Sequence, residues 1–252
     1  MRIVIVIPCY NEENNIKSIL TEMTNTLDEL SVKQYKIIIV DDFSDDESFA
    51  MVYQYIEDHA CQQKIALHRN EINMGTAQSI IKLLQLAVKE KPDFVIKMDM
   101  DKDFSHKEVL HTFFDHLSQN KTTAHNKVVT GIRILDNEKQ MTIYERIRKY
   151  QMQEFLKAQM SLKGYDPVSA GTQLYPYSIL YLLLKIDLVK TYDLRWGVDV
   201  LLPLLSRKMG NTLINIPINN SNYNVERRKD AKVKNQYDAF FWVFELVDEF
   251  EY

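Results

Sequence analysis

The chain has 252 residues, 46% hydrophobic and 26% charged, which fits one large α/β domain or two small ones with a packed core and is too apolar for global disorder. A formal net charge of −4 gives no general basic excess and argues against a nucleic-acid binder. The two cysteines, Cys9 and Cys61, form neither a C-x-x-C pair nor a zinc spacing, and as small buried residues they suit a reduced, cytoplasmic compartment.

Ile3 to Ile7 is a continuous β-branched run, the mark of a strand buried on both faces. It is too short for a signal-peptide core, and Pro8 ends it. In "NEENNIKSILTEMTNTLDEL", Ile16, Ile19, Leu20, Met23, Leu27 and Leu30 recur at helical spacing. Lys36 to Val40 reads as a second buried strand, followed by a helix through Val52 and Ile56 and a short strand at "KIALH". "TAQSIIKLLQLAVKE" is a further amphipathic helix, and "DFVIKM" is the fourth strand. This alternation predicts a parallel, doubly wound sheet with right-handed crossovers. In the second half, "KVVTGIRI" and "NTLINIPI" read as strands. Tyr144 to Met160 reads as a long charged amphipathic helix, with further helices at "PYSILYLLLKI" and "VDVLLPLLSRKM" and a turn at "SAGTQ" (Ser169 to Gln173). No apolar run approaches the roughly 20 residues needed to span a bilayer, and a single domain over 1–252 is expected.

Ligands of an open parallel sheet bind at the carboxyl ends of its strands. Polar clusters fall at those ends: "PCYNEE", "DDFSDDES", "NEINMGTAQ" and "DMDKDFSH". In the last of these, Asp99, Asp101 and Asp103 repel one another unless a cation sits among them; the alternative is a solvated acidic turn. An Asp-x-Asp pair at a strand end can aim both carboxylates at one divalent ion, which prefers hard oxygen ligands. Two registers are open, Asp99/Asp101 and Asp101/Asp103. Asp99 follows the apolar run directly, which favours the first, and Asp101 belongs to both.

The set of motifs resembles the family 2 glycosyltransferases of GT-A fold, and among them the dolichol-phosphate mannose synthases and related polyprenyl-phosphate glycosyltransferases. "VIPCYNEENNI" is similar to the family's "IPTYNE", and "IIIVDDFSDDES" to its "VVDDxSxD". "NMGTAQSI" is similar to its glycine-containing helix start. "IKMDMDKDFSH" resembles "MDADLQH" with "KD" inserted, "GIRI" stands at "GSR", and "DPVSAGTQLY" resembles "DxxSGFRLF". The resemblance implies a nucleotide-binding half over 1–106, an acceptor half over 107–235 and a C-terminal aromatic helix over 236–252. It implies that Pro8, Tyr10 and Glu12 line a nucleoside pocket, and that Asp42, beside Asp41, accepts a hydrogen bond from the base. Gly75 would let the backbone approach the nucleotide. Asp99, Asp101 and Asp103 are the implied metal ligands, for Mg²⁺ or Mn²⁺ beside the diphosphate of a nucleotide sugar. Arg133 would approach a phosphate, and Arg227 and Arg228, in the basic "VERRKDAKVK", would close over phosphates through bidentate contacts. The implied reaction is inverting transfer to a polyprenyl phosphate, an acceptor already ionised. With a sugar hydroxyl as acceptor, Asp199 in "RWGVDVLL" would be the general base; helix capping is its other role. Gln173 stands where the relatives often have arginine.

The C-terminal "QYDAFFWVFELVDEFEY" puts Tyr237, Phe240, Phe241, Phe244, Val247 and Phe250 on one helical face. This face suits docking on its own domain, a homodimer or peripheral contact with a membrane, and its acidic residues disfavour an anionic bilayer. Other functions are weaker. A nucleotidyltransferase would need a basic, glycine-rich loop after the first strand, and a dinucleotide oxidoreductase would need G-x-G-x-x-G there. A non-catalytic nucleotide-sugar-binding protein would fit the departures at "DMDKD" and Gln173, but not the retained Asp101 and Arg133.

Overall fold

The computed structural model describes residues 1–102, 104–120, 123–133, 143–160, 171–186 and 197–218, together with 243 and 247. Among them the strands are β1 (Ile3–Cys9), β2 (Tyr35–Asp41), β3 (Ile65–Arg69), β4 (Phe94–Lys97), β5 (Lys127–Arg133), β6 (Thr172–Pro176) and β7 (Thr212–Ile218). The helices are α1 (Ile16–Glu29), α2 (Ser48–Asp58), α3 (Thr76–Lys89), α4 (His106–Gln119), α5 (Ile143–Met160), α6 (Tyr177–Leu183) and α7 (Val198–Lys208). The strands form one seven-stranded sheet in the order β3-β2-β1-β4-β6-β5-β7.

Strand β1 is central because every second residue feeds a different core. Val4 and Val6 join Ile38, Val40 and Val95 under α3, α6 and α7. Ile3, Ile5 and Ile7 join Ile37, Ile39 and Ile96 under α1, α2 and α4. This period-2 division is why the strand reads as unbroken β-branched sequence. Each fully buried Ile or Val contributes roughly 1.5–3 kcal/mol. Helices α1 and α2 carry the chain outward from β1 to β3, and α3 returns it across the opposite face to β4. The strand order therefore reverses between β1 and β4, which opens the crevice where doubly wound sheets bind ligands.

The sheet is mostly parallel, as expected, with one exception. Strand β6 runs antiparallel to both β4 and β5, with Lys97 opposite Gln173 and Gly131 opposite Thr172. The expected turn at "SAGTQ" is corrected there: Thr172 and Gln173 belong to the strand, and Ser169 and Ala170 lie outside the described residues. Because β6 runs backwards, its beginning lies on the same rim as the carboxyl ends of β1, β2, β4 and β5. Between Asp103 and Lys127 the sequence pattern assigns no element, yet α4 forms there and buries Val109, Leu110, Phe113 and Leu117. Ser105 caps it by accepting from the Glu108 N–H at 3.3 Å.

Val243 and Val247 are buried in the α3-side core, and Lys208 Nζ donates to the Val247 carbonyl, so part of the C-terminal segment docks on its own domain. Tyr237, Phe240, Phe241, Phe244 and Phe250 lie outside the described residues. No described helix is long and apolar enough to cross a membrane.

Gly131 has no room for a side chain, since a Cβ there would meet Ile218 Cδ1 and Thr172 Oγ1, both at 2.3 Å. Gly131→Ala is expected to destabilise the protein by about 1–3 kcal/mol through overpacking between β6 and β7, measured by urea denaturation; an unchanged midpoint would show that these strands yield easily.

Candidate active site

The β2 end builds the first half of the rim. Asp41 is fully buried and accepts from Ser44 Oγ at 2.5 Å and from the Ser44 N–H at 3.2 Å, and it pairs with Arg69 Nε at 3.2 Å. Asp42 reaches across to the loop after β3. Its Oδ1 accepts from Asn70 Nδ2 at 2.7 Å and the Met74 N–H at 2.9 Å, and its Oδ2 from the Gly75 N–H at 2.8 Å. These three donors fill most of the roughly four acceptor sites of a carboxylate, which is how Asp42 stays buried. Gly75, the N-cap of α3, has φ 87° and ψ 158°, a conformation essentially confined to glycine. Asn11 and Phe43, on the neighbouring loops, also have positive φ, at 55° and 61°.

The aromatic rings on this side face solvent. Tyr10 and Phe43 are each 43% exposed. The Tyr10 hydroxyl donates to Asp45 at 3.3 Å, and the Arg69 guanidinium lies over the Phe43 ring at 5.1 Å. Pro8 pairs with Val40 across the β1–β2 ladder. Glu12 accepts from Asn15 Nδ2 at 2.5 Å, and its N–H donates to Ser48 Oγ at 2.7 Å. The residues expected to line a nucleoside pocket are thus brought together at the β1 and β2 ends.

The β4 end carries the second half. Met98 and Met100 turn into the α1-side core, leaving Asp99 and Asp101 half-buried on the other side of the chain. Lys97, the last residue of β4, is 1% exposed. Its ammonium donates to Asp99 Oδ1 at 2.8 Å and to the Gly171 carbonyl at 2.9 Å. It also forms an ion pair with Asp199 Oδ1 at 3.2 Å, outside hydrogen-bond alignment. Burial of Lys97 disfavours its charge, but the carboxylates of Asp199 and Asp99 outweigh burial, so it is held charged above the ordinary lysine range. Asp199 moves the other way from an ordinary aspartate. Burial raises its pKa, Lys97 offsets part of the rise, and Asp99 adds to it.

Asp199 lies in the first turn of α7, whose N-cap is Gly197 at φ 94°. Its carboxylate is engaged by Lys97 rather than by the helix end. Gln173 fixes this turn from β6: its Nε2 donates to the Asp199 carbonyl, and its Oε1 accepts from the Tyr175 hydroxyl at 2.6 Å. His106 hydrogen-bonds the Asp99 carbonyl through Nε2 at 2.8 Å, and burial lowers its pKa. Arg133 ends β5 on the same rim. Asp103, Arg227 and Arg228 lie outside the described residues.

Lys97 is the site residue that motif reading missed. Its signal was present: a lysine inside a run otherwise fit for complete burial, two positions before an aspartate, must find charge partners. The carboxylates of Asp99 and Asp101 are hard oxygen donors of the kind Mg²⁺ and Mn²⁺ accept, although Asp99 Oδ1 is already engaged by Lys97. Among the described residues, no group of three or more His, Cys, Asp and Glu side chains is arranged to hold a metal ion.

A doubly wound sheet with one reversed strand, and acidic groups gathered at the β1/β4 crevice, defines a GT-A-type glycosyltransferase fold. The chain belongs to glycosyl transferase family 2, whose family model matches residues 4–179. No curated protein matches it. Among solved structures it is similar to the mannosyltransferase PcManGT from Pyrobaculum calidifontis in complex with GDP-Man and Mn²⁺, at 16% identity and TM-score 0.61, covering 99% of this chain and 65% of that one. It is also similar to mannosyl-3-phosphoglycerate synthase from Rubrobacter xylanophilus, at 14% identity and TM-score 0.63, covering 97% of this chain and 73% of that one. S. aureus TarS in complex with UDP-GlcNAc matches at 15% identity and TM-score 0.57, covering 98% of this chain and 65% of that one. At these identities the likeness shows the fold, and this chain spans about two thirds of the length of PcManGT and of that TarS structure.

Gly75→Ala would force a side chain into a glycine-only conformation, at a cost of about 1–3 kcal/mol. The expected outcome is a lower thermal midpoint, with the loss concentrated in faster amide exchange across residues 70–76; uniform exchange would overturn the local explanation.

Proposed function

We propose that this protein transfers a sugar from a nucleotide-diphosphate sugar to an acceptor, with inversion at the anomeric carbon. The observation that carries the reading is the convergence of Asp42, Asp99, Asp101 and Asp199 on one rim at the β1/β4 crevice of a family 2 fold. The nucleoside would lie against Pro8, Tyr10 and Glu12, its base donating to Asp42 with Asp41 beside it, and Gly75 allowing close backbone approach. Arg133, with Arg227 and Arg228, would hold phosphate. A divalent ion, Mg²⁺ or Mn²⁺, would be held by Asp101, the carboxylate common to both registers. When bound, that ion neutralises charge developing on the departing diphosphate. PcManGT with GDP-Man and Mn²⁺ supports the ion, and TarS with UDP-GlcNAc supports the donor class.

For the acceptor we favour a polyprenyl phosphate, on the likeness of the motifs to the dolichol-phosphate mannose synthases. Such an acceptor is already anionic and asks for cationic partners rather than a base. A second reading, transfer to a sugar hydroxyl, is favoured by one observation. Asp199 places a carboxylate at the rim beside Asp99, and burial pushes its pKa upward against the opposing pull of Lys97, the direction a proton acceptor needs.

Two measurements test these readings. Calorimetric titration of UDP and GDP should show binding in Mn²⁺ that is lost in EDTA, and Asp101→Asn should abolish transfer in a correctly folded protein; equal nucleotide affinity with and without the ion would remove the metal from the scheme. With a lipid phosphate acceptor, Asp199→Asn should cost little in kcat and Arg133→Ala much. A positioned general base contributes about 10²–10⁴-fold, so a loss of that size in a correctly folded Asp199→Asn variant points to a hydroxyl acceptor.

A further inference from the structure

Phe43 holds a backbone conformation that its place in the fold does not require. Among the described residues, five that are not glycine have positive φ: Asn11, Ser31, Phe43, Ala60 and Lys91. Ser31, Ala60 and Lys91 each follow the C-cap of a helix, α1, α2 and α3 respectively. A left-handed residue at that place lets the chain satisfy the last helical carbonyls. Asn11 is of a type that tolerates the conformation, because its short polar side chain bonds locally; its Oδ1 accepts from the Asp45 N–H at 2.9 Å. Phe43 ends no helix, and a bulky ring on a left-handed backbone is a genuine outlier. In the segment similar to "VVDDxSxD" it stands at x, to which the resemblance assigns no task.

The loop is fastened on both sides of this residue. Asp42 before it is fixed by Asn70, Met74 and Gly75. Ser44 after it donates to Asp41, its Oγ accepts from the Asn11 N–H at 3.0 Å, and its carbonyl accepts from Arg69 Nη2 at 2.9 Å. The Arg69 guanidinium, anchored on Asp41, lies over the Phe43 ring at 5.1 Å and over the Phe49 ring at 5.0 Å. One face of Phe43 is thus covered by a cation, while the residue stays 43% exposed. Tyr10, equally exposed, stands on the adjoining loop, which Asn11 ties to Ser44 and Asp45. A ring that is strained, rigidly held and still left in water contributes little to the core. It presents a flat apolar face, with a second ring on the next loop, at the strand ends where the nucleoside is proposed to lie.

The neighbouring carboxylates have less to offer a base. Asp41 is engaged by Ser44 and Arg69, and three donors fill most of the roughly four acceptor sites of Asp42. Hydrogen bonds distinguish one base from another, whereas stacking accepts any base, because every base has a π face.

We propose that Phe43 is a stacking platform for the base of the nucleotide sugar, and that the site takes uracil and guanine nucleotides with similar affinity. This rests on the glycosyltransferase reading for the class of ligand; it adds the residue that holds the base and the breadth of bases accepted.

The test is calorimetric titration of GDP and of UDP, in buffer containing Mn²⁺, into the full-length wild type and three variants, with thermal melts of each. Phe43→Leu keeps apolar bulk and the left-handed backbone but removes the π face. It should weaken GDP and UDP each by at least about fivefold, the lower end of what a base–aromatic stack contributes. Phe43→Tyr keeps the face and should stay within about twofold of the wild type. Phe43→Gly removes ring and strain together, so it should bind both nucleotides as weakly as Phe43→Leu while its thermal midpoint stays the same or rises. A ring with a structural role alone would give the opposite pattern, a lower midpoint with unchanged affinity. Unchanged affinity in Phe43→Leu or Phe43→Gly, a loss restricted to one nucleotide, or a wild-type preference for one base above about tenfold overturns the proposal and leaves the donor class standing. A wild type that binds neither nucleotide overturns the glycosyltransferase reading and the platform with it. Should Phe43→Leu not fold, Phe43→Gly, which relieves the backbone, decides.

Discussion

An ammonium buried at the end of a central strand constrains everything around it. Lys97 cannot keep its charge without anionic partners, and those partners must come from segments far apart in the chain: Asp99 from the turn after β4 and Asp199 from α7. Satisfying one lysine therefore brings the start of α7 against the β4 end and sets the Gly171 carbonyl between them. Removing both partners would leave the buried charge uncompensated, and breaking a buried pair in this way typically destabilises by about 3–5 kcal/mol. The position of Asp199 relative to the β4 end is in this sense an electrostatic requirement of the sheet.

The β2 end solves a related problem with backbone groups. Asp41 and Asp42 are adjacent and both buried, and each is stabilised by different donors. Asp41 takes the Ser44 hydroxyl and Arg69, which closes its own loop. Asp42 takes two backbone N–H groups and Asn70, which fastens the loop after β3. The left-handed residues Asn11 and Phe43 and the glycine conformation at Gly75 are tolerated because these contacts over-determine the loops. A rim built this way is formed before any ligand arrives, so little ordering cost falls on binding.

Much of the first half of the sheet was legible because its signals are local. Strands buried on both faces read as β-branched runs, and α1 and α3 show regular apolar spacing, so β1 to β4 follow from periodicity alone. Strand β6 was hidden. "TQLYP" offers five residues, begins polar and ends in proline, and it is a strand because β4 and β5 need a partner between them. Helix α4 was hidden for the opposite reason, since His106, His111 and His116 interrupt its apolar positions although Val109, Leu110, Phe113 and Leu117 carry the packing. The aspartates of the site were legible as motif members, but their partners were not. No spacing rule connects Lys97 to Asp199 across a hundred residues, and only the antiparallel return of β6 and the placement of α7 bring them together.

The two possible metal registers follow from the same geometry. Read as a string, Asp99 has the better claim, because it follows the apolar run directly. In space the strand stops at Lys97, and Met98 and Met100 are drawn into the core. That alternation turns Asp99 back over the lysine two residues before it, where a full positive charge already stands at 2.8 Å. A divalent ion approaching Asp99 would meet repulsion from the ammonium as well as attraction from the carboxylate.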